Sequence, residues 1–391
     1  MAGVLLLLGL AMASALLVQY LRVPYTVVLV VLGLALGVAG VRPGFELDRD
    51  LILHAFLPLL LFEAALPVDL RLLRDSFASI AVLAVPGVIV SAAAIGLLLW
   101  RVTGLDLAVA ALFGAMVSAT DPVAVLATFK RLKLPDKLAM VVEGESVLND
   151  GTALVLFTLL LPAAQGGSFR PALVAVQFVG VLAGGLLVGA AAGWLGSRCA
   201  ALLEDHLAQL AVSALVAYGS FLLAERVQVS GVIATVTAGL VFAADGAERL
   251  QPAARALLLD VWAFAAFLAN SLLFLLIGLK VGPTDFGGVA GDLAWAVAAT
   301  LLARLLVVYG SGILLRWSGR PFLLRHGALV FWSGLRGALA IALALSLPAD
   351  VQQRDLLLRL TAGVVLFTLL AQGLTIAPLL RRLAPQPDAA A

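Results

Sequence analysis

The chain has 391 residues, 63% of them apolar and 12% charged, against about 25% charged in an ordinary soluble domain. A water-soluble protein is excluded on that ground. The 25 basic and 23 acidic side chains leave a net charge of +2, which gives no hint of a nucleic-acid partner, and the single cysteine, Cys199, excludes an intrachain disulfide or a cysteine metal cluster.

A helix needs about 20 apolar residues to cross a hydrocarbon core of about 30 Å. Charge and Gly/Pro clusters mark the breaks between such windows. In chain order the windows fall at 2–20, 23–40, 51–67, 77–100, 106–128, 137–162, 171–197, 206–224, 229–244, 257–279, 290–315, 325–347 and 356–380, which predicts thirteen spans in a single transmembrane domain over 1–391. The first lacks the positive flank of a cleavable signal peptide and is read as a span. Fifteen of the 25 Lys and Arg fall in alternate loops on one side, eight on the other, and Arg304 and Arg336 within spans. The richer side is cytoplasmic by the positive-inside rule, so the N-terminus is expected outside and the C-terminus inside. After the last span only LAPQPDAAA remains, and no nucleotide-binding tail is expected. His54, His206 and His326 lie near span ends without metal-ligand spacing and read as interfacial side chains.

An ionisable side chain at mid-membrane costs about 2.5–3.5 kcal/mol on insertion scales and usually faces a bundle interior or an ion path. Along the chain, Gly33 and Gly37 in the second span form a packing stripe, and Glu63 is the first interior acid, in the third span. The fifth carries Thr120, Asp121 and Pro122 near its middle, where proline removes a donor and disfavours helix before it. A break is predicted there, with Asp121 capping the second half-helix and serving an ion site beside the Thr120 carbonyl. In the sixth span Ser146 and Asp150 stand four apart on one face. Glu145 points elsewhere and needs Arg304 or Arg336 as partner, while Asn149 is placed to tie this span to the broken fifth. Glu143 stands nearer the cytoplasmic side, where an acid draws in cations. Gly185, Gly189 and Gly193 in the seventh span make a second packing stripe, and Asn270 and Ser271 in the tenth are polar enough to line a path.

In the twelfth span Ser333, Gly334, Leu335, Arg336 and Gly337 predict a second break. The fifth and twelfth spans are seven apart and would run in opposite directions. That is the pattern of two inverted repeats, about 1–162 and 206–380, linked by the span at 171–197, with the discontinuous helices crossing at the midplane. Asp150, Asp121, Ser146 and Thr120 supply oxygen ligands only, which suits a small hard cation.

The segments LPLLLFEAAL, SATDPVAV, EGESVLNDGTALVLF, ARLLVVY and SGLRGALAIAL, in this order over residues 57–343, resemble the monovalent cation/proton antiporters of the NhaP and NHE branch. The resemblance implies an all-α, thirteen-helix inverted-repeat fold, a homodimer in the lipid bilayer of the inner cell membrane, and a six-helix core that moves against a dimerisation domain. It implies a transporter and not an enzyme, with no cofactor beyond the transported ions. Asp150 looks like the essential carboxylate that holds cation or proton, Asp121, Ser146 and Thr120 like its supporting shell, and Glu63 like a group acting through water. Glu145 and Arg304 look like an ion pair fixing the core, and Arg336 like the charge beside the unwound helices. Asn149, in place of a second acid before Asp150, resembles the electroneutral exchangers. Exchange of Na+ and Li+ for H+, one for one, is the expected activity. K+/H+ antiport on the same fold and, behind it, a cation channel without proton coupling stand as alternatives.

Overall fold

The computed structural model describes residues 23–41, 48–320 and 322–383, together with Gly9, Met12 and Ser14. Apart from those three residues, the predicted first span lies outside the described residues. Among the described residues the fold is helical: α1 Tyr25–Val38, α2 Leu51–Ala65, α3 Leu70–Thr103, α4 Leu107–Met116, α5 Val123–Leu132, α6 Asp136–Ala164, α7 Pro171–Ala201, α8 His206–Arg226, α9 Gly231–Arg249, α10 Pro252–Val281, α11 Ala290–Trp317, α12 Phe322–Trp332, α13 Ala338–Leu345 and α14 Arg354–Arg382. Among the described residues seven stretches, α3, α6, α7, α8, α10, α14 and α11 with its preceding turn, are long and apolar enough to cross a membrane. Shorter apolar helices include α1, α2, α4 and α12.

Local chemistry explains six of the helix starts. Asp69, Asp106, Asp205 and Ser230 accept backbone N–H bonds at the starts of α3, α4, α8 and α9, satisfying donors that a helix N-terminus leaves open. Pro171 and Pro252 open α7 and α10, where a missing N–H costs nothing. α3 begins at Leu70, earlier than the apolar window at 77–100, because the Asp69 cap starts the helix in the charged stretch of Arg71, Arg74 and Asp75. Two π-helical stretches, Leu51–Phe56 and Thr368–Gln372, open α2 and interrupt α14.

In lipid, helices associate through close packing and interhelical hydrogen bonds rather than hydrophobic burial. Gly37 of α1 stands against Gly282, and Gly33 against Gly278, so that a Cβ added at Gly33 would lie 3.0 Å from the Gly278 Cα. The second stripe meets α9: a Cβ on Gly185 would lie 2.8 Å from the Ser230 carbonyl oxygen and one on Gly193 would lie 3.0 Å from the Ala238 Cα. Both stripes therefore serve packing within the chain. The side chains gather in two cores. The larger joins α1 to α6 with α10 to α14, and a smaller one sets Phe62 of α2 against Val216, Phe242 and Trp262. Between α2, α10 and the broken helices of the larger core lies the site.

Candidate functional site

Two helix pairs are interrupted where the sequence predicts. α4 stops at Met116 and α5 starts at Val123; α12 stops at Trp332 and α13 starts at Ala338. The breaks are bonded to one another. The Asp121 N–H donates to the Leu335 carbonyl at 2.8 Å, and Arg336, 1% exposed, donates from Nη1 to the carbonyls of Ser118 at 2.7 Å and Ala119 at 3.0 Å. The Arg336 N–H itself donates to Thr368 Oγ1 at 3.0 Å. Unwinding α4 frees carbonyls that a low-dielectric interior would penalise, and the guanidinium satisfies two of them. The residue at the N-cap of α5 is Pro122 rather than Asp121, because the helix starts at Val123; Asp121, one residue earlier, still holds that start, as its Oδ1 accepts the Val123 N–H at 3.1 Å.

α6 runs beside the first break and supplies four of the predicted residues. Asn149 grips Thr120 twice, donating from Nδ2 to Oγ1 at 2.8 Å and accepting the Thr120 N–H at 3.3 Å. The Ser146 hydroxyl donates to the Thr120 carbonyl. Glu145 turns away from both and pairs with Arg304 of α11 through both carboxylate oxygens, the Arg304 Nη2–Oε2 bond measuring 3.0 Å. Arg304 also donates to the Val330 carbonyl at 2.8 Å, near the end of α12. Of the two arginines available to Glu145, the structure selects Arg304; Arg336 is committed to the break.

Asp150, Asp121, Thr120 and Ser146 share a cavity of about 390 Å³ with Glu63 from α2 and Asn270 from α10. Gly337 and Ala338 of the second break line it, as do Glu143 and Lys130. Asp121 and Asp150 are each partly open to this space. With four carboxylates and one amine on an otherwise mainly apolar lining, the cavity favours cations over anions. Its oxygen donors, carboxylate, hydroxyl and main-chain carbonyl, are those that small hard cations take.

Every predicted site residue is thus located: five on the cavity, Asn149 bonded to Thr120, Glu145 paired with Arg304, and Arg336 between the two breaks. Sequence reasoning did not single out Thr368, whose hydroxyl holds the Arg336 N–H from within a π-helical stretch; no sequence signal marks it. Nor does the sequence give Gly337 a part beyond weakening the helix.

The family model described as the transmembrane sodium/hydrogen exchanger matches residues 4–382. The chain is 36% identical to the Na+/H+ antiporter NhaH of Halobacillus dabanensis, over 97% of each chain. It is 35% identical to the Na+/H+ antiporter ApNhaP of Aphanothece halophytica, over 96% of this chain and 73% of that one. The sodium proton antiporter MjNhaP1 of Methanocaldococcus jannaschii superposes with a TM-score of 0.74 at 20% identity, covering 97% of this chain and 94% of that one. The chain belongs to the sodium/hydrogen exchanger family of integral membrane transporters, and is not an enzyme.

Proposed function

We propose that this chain exchanges a monovalent cation, Na+ and with it Li+, for a proton by alternating access, one for one and without net movement of charge. The observation that carries the reading is the convergence of Asp150, Asp121, Ser146 and Thr120 on one cavity at the junction of two broken helices. The Na+/H+ antiporters among its relatives support the choice of ion.

Asp150 is the exchanging group in this reading. A proton and a cation compete for the same carboxylate, because a bound cation favours its charged form and burial its neutral one. Asp121, the Ser146 hydroxyl and the Thr120 carbonyl complete the oxygen shell, and Glu63 reaches it through water. Asn149 holds the Thr120 backbone so that its carbonyl stays aimed at the site. An amide at 149 leaves Asp150 without an adjacent second acid, which supports exchange of one charge for one charge. If the empty, charged site is disfavoured from switching sides, the two fluxes are coupled.

The wider architecture follows the same reading: thirteen spans in two inverted repeats, a core moving against a dimerisation domain, and a homodimer with its N-terminus outside. α7 fits the last element, since 17% of its most apolar window is buried within the chain. Lys130 and Glu143, which also line the cavity, lie toward the side assigned to the cytoplasm, where an acid draws in cations.

The test is proton movement in sealed proteoliposomes with an imposed pH gradient, pulsed in turn with Na+, Li+ and K+, for the wild type and D150N. Na+ and Li+ are expected to evoke proton flux that vanishes in D150N and that a K+/valinomycin clamp, applied in the Na+ and Li+ runs, leaves unchanged. Flux evoked by K+ alone would make this the potassium exchanger, and cation flux without protons would make it a channel.

A further inference from the structure

We infer that Gly337 is a positioning residue of the exchange site: by presenting no Cβ, it lets the Asp121 carboxylate lie against the second break and sets the direction from which that carboxylate faces the cavity. The inference rests on the reading of Asp121 and Asp150 given above. Gly337 is the last residue before α13 and lines the cavity together with Asp121. A Cβ built on it would lie 2.7 Å from the Asp121 Cγ, 2.5 Å from its Cβ and closer still to Oδ2, where real Cβ atoms stay beyond 3.0 Å. Its φ of −136° is outside the left-handed region. Space, not backbone freedom, is what glycine supplies here.

Neither side of this contact yields cheaply. The Asp121 N–H is bonded to the Leu335 carbonyl at 2.8 Å, Oδ1 to the Val123 N–H at 3.1 Å, and Pro122 restricts the Asp121 backbone. Across the contact, Arg336 is tied through its N–H to Thr368 and through its guanidinium to Ser118 and Ala119. A methyl group at 337 fits only if the Asp121 side chain rotates off the Val123 N–H or the two breaks are prised apart. Either change moves a cation-facing carboxylate. Gly334, three residues earlier, is crowded by something else: a Cβ there meets the Arg304 side chain, 2.7 Å from Nε. Crowding at 334 therefore loads the ion pair and leaves Asp121 in place.

The experiment measures Na+- and Li+-evoked proton flux in proteoliposomes for the wild type, G337A, G334A and D150N, with melting temperatures in detergent. G337A is expected to raise KM for the cations by about tenfold or more, by unequal factors for Na+ and Li+, with the maximal rate little changed. G334A is expected to melt lower with a wild-type KM. A wild-type KM in G337A, or an equal rise in both glycine variants, would overturn the inference. Wild-type exchange by D150N would instead remove the site reading on which it stands. Should G337A prove too unstable to reconstitute, G337A/D121G decides: with the clashing atoms removed it should melt with D121G, and a double variant as unstable as G337A overturns the proposal.

Discussion

At the scale of residues, the site separates two uses of charge. Asp121 and Asp150 face a cavity, whereas Glu145, 2% exposed, and Arg304, 5% exposed, face each other. A buried pair of this kind contributes little net stability against an apolar substitute of equal size, but removing one partner strands the other. R304A should therefore cost about 3–5 kcal/mol, read as a lowered melting temperature. E145M/R304M, in which both charges are replaced by apolar side chains, should recover most of that loss. An R304A protein that melts with the wild type would show the pair to be dispensable. Residue spacing leaves Arg304 and Arg336 equally available to Glu145, since both arginines lie inside apolar windows; the family resemblance points to Arg304, and the pair is formed with it. Asn149 was legible, because it follows Glu145 by one turn and precedes Asp150.

At the scale of elements, the two breaks behave as one device. Pro122 and the pair Gly334 and Gly337 announce each break separately, since one removes a donor and the others weaken a helix. What joins them is tertiary: the Asp121 to Leu335 bond and the Arg336 hold on Ser118 and Ala119. In R336M the freed carbonyls lose their donor, and deuterium uptake is expected to rise together in 117–122 and 333–337 while α7 exchanges as before. Uptake that rises in one break alone would contradict the coupling. The windows from 23–40 onward each fall on a helix or a broken pair, because apolar length is what the membrane demands. The π-helical stretches at Leu51–Phe56 and Thr368–Gln372 had no such signal, as an inserted residue leaves composition unchanged. The start of α3 was missed for a related reason: capping by Asp69, not apolarity, sets it.

At the scale of the whole molecule, the cavity is lined from two sets of elements, α6 with the two breaks and α2 with α10: Asp150 and Asp121 come from the first, Glu63 and Asn270 from the second. A rigid movement of one set past the other would carry the carboxylates between two openings without rebuilding them, which is the economy of alternating access. The proposal then reduces to one claim, that cation and proton occupy the same carboxylate in turn. Calorimetry of Na+ binding to the purified protein, repeated in buffers of different ionisation enthalpy, counts the protons released as the cation enters. At a pH where Asp150 is protonated, the account predicts one proton released for each Na+ bound, and no measurable binding in D150N. Binding without proton release, or binding by D150N as tight as by the wild type, would contradict it.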